Sequence, residues 1–153
     1  MQQLVPSPLR RSLVIATAAA VFLVSACQSM QPMTPQKSLY DRLGGQPAIT
    51  AVVDDFVGNV AVDNRINGFF GRTDIARLKK NLVDQICQGT GGPCTYTGRD
   101  MATAHKGMNI TDAQFNALVE DLKRALDKFK VPEKEQGDLL AVLGPMKPQI
   151  VGQ

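Results

Sequence analysis

The chain has 153 residues, a formal charge of +3, 44% hydrophobic residues, one histidine, three cysteines and no tryptophan. That length suffices for one domain with a single core. One imidazole excludes a multi-histidine metal centre, and the nearly balanced charge gives no ground for a nucleic-acid partner.

Arg10 and Arg11 precede an apolar run from Leu13 to Val24 that ends at Ser25, Ala26 and Cys27. A basic start, an apolar middle and small residues before a cleavage point are the parts of a signal peptide, assigned to residues 1–26. The run falls short of the roughly 20 apolar residues that a spanning helix needs. Leu23-Val24-Ser25-Ala26-Cys27 resembles the lipobox of bacterial lipoproteins, which implies that Cys27 is lipidated and becomes the first mature residue. Arg10-Arg11-Ser12-Leu13 faintly resembles a twin-arginine signal, a route that exports folded, cofactor-loaded proteins. The expected location is outside the cytoplasm, anchored to a membrane and facing the periplasm. Cleavage removes Arg10 and Arg11 and brings the charge close to neutral. Residues 27–37 then form the lipidated cysteine and a polar tether carrying prolines, and residues 38–153 the folded domain.

In that domain Ser38 to Leu43 has room for a turn or two of helix before Gly44 and Gly45 stop it. A helix from Pro47 to Val62 follows from the spacing of Ile49, Val52, Val53, Phe56, Val57 and Val60. Asp63 to Gly68 is turn chemistry, and Phe69 and Phe70 stand before Gly71. Thr73 or Asp74 caps a third helix with Ile75, Leu78, Leu82 and Ile86 as its inward positions, ending before Gly89 to Pro93. Met101 to Lys106 is a short helical segment closed by Gly107. Thr111 to Gln114 is a capping box, with Ile110 placed to staple onto Phe115. Phe115, Leu118, Val119, Leu122, Leu126 and Phe129 make the stripe of the helix it opens. Pro132 starts a last helix with Leu139, Leu140, Leu143 and Met146, which Pro145 and Pro148 bend or end. No segment alternates as a strand does, so the fold class is all-α.

The motifs of most enzyme classes are missing: there is no phosphate loop, GxGxxG, GxSxG or HExxH. His105 remains, on a segment otherwise made of Met, Ala and Thr. Haem iron takes four donors from its macrocycle and needs one strong protein ligand, so one histidine is enough for haem and too few for zinc. CxxCH does not occur, since Cys94 lies eleven residues before His105, so a haem here is held without covalent links. Large apolar residues for its pocket are Phe56, Phe69, Phe70, Met101 and Phe115, which serve equally well as plain core.

SLYDRLGG at 38–45, VVDDF at 52–56, the pair Phe69-Phe70, RLK at 77–79, GGPCTYTGRDM at 91–101 and AHKGMNIT at 104–111 occur in this order. Their order and spacing resemble those of the group I truncated haemoglobins over Ser38 to Ile150. The resemblance implies a shortened globin, two helices stacked on two, with one haem b. It makes His105 the proximal iron ligand and Phe70 the wedge against the haem face, with Phe56 distal and Phe115 proximal. Met101, Leu78 and Leu82 complete the expected lining.

On the distal side this sequence departs from the family pattern. Where many relatives place a tyrosine after the helix phenylalanine and a glutamine on the facing helix, the matched positions here hold Val57 and Leu82, with Leu78 at the gate. Gln85 lies three residues after Leu82, on nearly the same face, either as a substitute donor or as a solvated side chain. Cys87 and Cys94, seven apart in a chain addressed to an oxidising compartment, are expected to form a disulfide; the rival reading, two free thiols with one on a metal, lacks the other zinc ligands.

The expected function is reversible binding of oxygen, or another diatomic gas such as nitric oxide or carbon monoxide, at pentacoordinate ferrous haem. A nitric oxide dioxygenase served by an external reductase, a haem redox or peroxidase protein, and a haem-free structural lipoprotein are the alternatives.

Overall fold

The computed structural model describes residues 36–153. The expected signal peptide, Cys27 and most of the tether lie outside the described residues. Six α-helices follow in order: α1 Leu39–Arg42, α2 Gly45–Val62, α3 Ile75–Gly89, α4 Met101–His105, α5 Asp112–Lys128 and α6 Glu133–Leu143. Two 3-10 helices, Asn67–Phe70 and Gly144–Gln149, lie after α2 and after α6. Among the described residues β pairing is limited to one isolated bridge, so the architecture is all-α as expected.

Local chemistry sets most of the helix starts. The Ser38 hydroxyl accepts from Asp41 N–H, the Asp74 carboxylate from Arg77 N–H at 3.0 Å, and Thr111 and Gln114 form a reciprocal capping box. Each such cap satisfies N–H groups that have no partner within the helix. Between α1 and α2 the backbone turns through two left-handed glycines, Gly44 at φ 93° and Gly45 at φ 73°. A Cβ on Gly44 would lie 2.9 Å from Ala48 Cβ, so this corner is closed to larger residues.

Helix α2 is the axis of the fold, packed along α5 on one side and α3 on another, with α1 against both α2 and α6. Val53, Leu126 and Leu139 are at most 2% exposed and anchor the core. Burial of such a side chain contributes roughly 1.5–3 kcal/mol. Arg42 ties α1 to α6, donating to Glu135 and Asp138, each at 2.6 Å.

Three elements differ from the sequence reading. Ile75 and Phe129, expected to face inward, are 41% and 44% exposed. Both stand at helix ends, where the periodic face runs past the helix it packs on. The last helix stops at Leu143, and Met146 belongs to the following 3-10 helix, because Pro145 and Pro148 have no N–H to continue α-helical bonding.

Candidate functional site

His105 closes α4, a helix of only five residues. Five residues hold few internal hydrogen bonds, so α4 depends on its ties to the rest of the fold. Asp100 caps it, accepting from Thr103 N–H at 2.9 Å. The hydrogen bond to Thr103 holds the Asp100 carboxyl below the ordinary Asp range. Beyond the helix Gly107 takes φ 80° and Asn109 φ 48°, turning the chain back sharply. The turn is clasped from far along the chain: Asn109 N–H donates to Gln153 O at 2.7 Å, Gly152 N–H to Ile110 O at 2.9 Å, and Ile110 bridges to Val151. Helix α4 also packs against the C-terminal 3-10 helix.

Nδ1 of the half-buried His105 ring lies 2.7 Å from Met101 O. A carbonyl oxygen only accepts, so Nδ1 carries the proton of this bond. In the neutral ring Nε2 is then the nitrogen with the free lone pair, the state required of an imidazole that ligates a metal.

The apolar residues named from the sequence fall into two groups. Phe56 and Val57 of α2 are each 6% exposed and belong to the core. Phe69, Phe70, Leu78 and Leu82 pack on that core while staying partly uncovered. Phe115 on α5 and Met101 on α4 are also half-buried. The Lys147 ammonium lies 5.4 Å from the Phe115 ring centroid and pairs with Asp112 at 2.5 Å.

Gln85 is turned toward α4 and the C-terminal 3-10 helix. Its Nε2 lies 3.7 Å from Met101 Sδ and 3.2 Å from Met146 Sδ. Met146 and the 109–110 to 151–153 clasp were missed as site residues, because nothing local in the sequence marks either. The Asp100 cap was also missed, although an Asp three residues before Thr103 is a readable signal.

Cys87 and Cys94 are joined by a disulfide with Cα atoms 5.7 Å apart. Cys87 is fully buried at the end of α3, and Cys94 stands in the loop leading to α4. A Cβ on Gly92 would come within 2.5 Å of the Tyr40 ring and 2.7 Å of Cys87 Sγ, so a side chain there has no room.

These features suit a haem. The donor set offers one imidazole with a free Nε2, and no cluster of three or more His, Cys, Asp or Glu able to hold a bare metal ion occurs among the described residues. The half-buried aromatic and leucine side chains supply apolar surface that the protein itself leaves incompletely covered. A void of about 10 Å³ between Ile49, Val52, Ile86, Leu126 and Leu139 is at most water-sized and belongs to the core. The cleft between α2 and α3 is lined by ion-paired side chains, Lys79 with Asp54 and Lys80 with Asp84, which suit no macrocycle.

Residues 38–151 match the family model described as bacterial-like globin. The chain is 36% identical over 113 residues to the group 1 truncated hemoglobin of Mycolicibacterium paratuberculosis, covering 74% of this chain and 83% of that one. It is similar to the solved truncated hemoglobin of Tetrahymena pyriformis in its Fe(III) form, with TM-score 0.74 and 32% identity over 76% of this chain and 100% of that one. The 2/2 hemoglobin of a Synechococcus species, solved in the cyanomet state with covalently attached heme, gives TM-score 0.71 and 30% identity over 75% of this chain and 98% of that one.

Proposed function

The chain belongs to the bacterial-like globin family, with group 1 truncated hemoglobins among its relatives, and from that premise we propose that it holds one haem b non-covalently through His105 and binds a diatomic gas reversibly. The observation that carries the reading is the bond from His105 Nδ1 to Met101 O. It fixes the ring's tautomer and leaves Nε2 as the ligand atom.

A haem held here would supply ferrous iron able to bind a gas such as oxygen, nitric oxide or carbon monoxide. His105 provides the single directional link to the iron, and its hydrogen bond to Met101 makes the ring a stronger donor. Phe70, Leu78, Leu82, Met101 and Phe115 keep water from the site and hold the macrocycle by apolar contact, with Phe56 behind them. Val57 and Leu82 offer no proton to a gas ligand, so the distal side is apolar. Nitric oxide removal by this chain would draw electrons from a separate reductase. Cys27 carries the lipid that anchors the domain to a membrane facing the periplasm. No helix among the described residues is long and apolar enough to cross a membrane.

The test is haem titration of the wild type and His105→Ala. The wild type takes up one equivalent with a Soret band, and His105→Ala retains no stable haem through gel filtration. Equal haem content and spectrum in the variant would reject His105 as the ligand.

A further inference from the structure

Gln85 is a primary amide on α3, half-buried, whose N–H groups reach two thioether sulfurs from two other elements. Thioether sulfur is a weak acceptor, so this amide is placed more by geometry than by strong bonding. Its partner Met101 has a second role: the Met101 carbonyl accepts from His105 Nδ1 at 2.7 Å. Among the described residues the Gln85 to Met101 contact is the side-chain hydrogen bond that joins α3 to α4.

We infer that Gln85 is a positioning residue for His105, acting through Met101 and braced by Met146, and not a group that meets the gas ligand. This rests on the reading of His105 as the haem ligand. Helix α4 has five residues, a cap at its start and a clasped turn beyond its end. Those ties hold the two ends of α4, and packing on the C-terminal 3-10 helix holds one face of it, which leaves the side toward α3 to be held by Gln85. Rotation of the helix about its own axis moves the Met101 carbonyl, and the imidazole bonded to it turns with it. Gln85 opposes that rotation from the α3 side, and Met146, holding the same amide from the C-terminal 3-10 helix, prevents the glutamine from swinging away.

The test uses the full chain loaded with haem and reads two quantities other than gas binding: the iron–histidine stretching band of the ferrous protein and the rate at which haem transfers to an apo-globin acceptor. Gln85→Leu removes the donor, and Met101→Leu removes the acceptor while keeping its carbonyl. Each retains one haem, shifts the band, and speeds haem transfer roughly two- to threefold, the low end of what one hydrogen bond contributes, as befits a sulfur acceptor. The double variant matches Gln85→Leu, because with the amide gone Met101→Leu has no further bond of this link to remove. Effects that multiply in the double variant, or single variants identical to wild type, overturn the proposal. A changed oxygen dissociation rate in Gln85→Leu with an unchanged band overturns it too, since Gln85 then meets the ligand. His105→Ala is the companion: if it keeps its haem, the ligand assignment fails first. If it loses haem while Gln85→Leu is silent, the positioning role alone fails.

Discussion

Asp121 is the residue whose surroundings suit its chemistry least. Its side chain is 0% exposed, Oδ1 accepts from Arg124 at 2.9 Å, and Oδ2 is buried without a partner. Burial, and then the nearby Asp63 charge, push its carboxyl above the ordinary Asp range. A carboxyl raised by folding favours the protonated form in the fold, so its stabilising effect is full below the unfolded value and is lost as pH rises through the folded value. Asp121→Asn is therefore expected to be more stable than wild type at pH 7, an advantage that vanishes toward acid pH, because Arg124 is exposed and loses little. Urea unfolding at the two pH values checks this. On the proposed distal side, Val57→Tyr supplies a hydroxyl donor that Val57 lacks. Oxygen dissociation then slows about ten- to a hundredfold and carbon monoxide dissociation hardly changes, as stopped-flow measurement shows. His105 could be singled out from the sequence because it is unique and lies in a recognisable run. The partner of Gln85 could not, because Met146 lies 61 positions away and only folding brings it near.

Among the elements, α4 is the one whose stability is borrowed. Its cap depends on an ionised Asp100, whose carboxyl is lowered by the fold, so the contribution is present above the unfolded value and is lost as pH falls through the lower folded value. Asp100→Ala is expected to speed haem transfer several-fold at neutral pH, while wild type shows the same loosening only below about pH 4. At the other end of the approach loop, the Cys87–Cys94 bond closes a short ring. Replacing both cysteines by serine is expected to cost about 2.5 kcal/mol by loop entropy, read as a lower urea midpoint relative to the oxidised wild type. Helix starts were legible in the sequence where caps are local, as at Asp74 and Thr111. Helix faces were legible less well. Asp121 lies on the buried side of α5 and Phe129 on an exposed one, since periodicity marks a stripe and not where the neighbouring helix ends. The short Asn67–Phe70 3-10 helix read only as a turn, because its sequence has no apolar repeat.

For the whole molecule, α2 carries the core, with α1, α3 and α5 packed on it directly, α6 held through α1, and α4 tied to the C-terminal 3-10 helix and to Gln85 of α3. Residues 36–153 alone are therefore expected to give the helical circular dichroism and haem uptake of the full chain. Cys27→Ser in the full chain is expected to move the protein from the membrane fraction to the soluble fraction, which sedimentation after cell lysis reads directly. The clasp at the turn after His105 also imposes an order in time. Val151 leaves the ribosome 41 residues after Ile110, the residue it bridges, a delay of roughly 2–8 s at usual rates of synthesis. Throughout that interval the nascent chain exposes its histidine on an unfastened loop, so secure haem capture waits until residues 151–153 have emerged to fasten it.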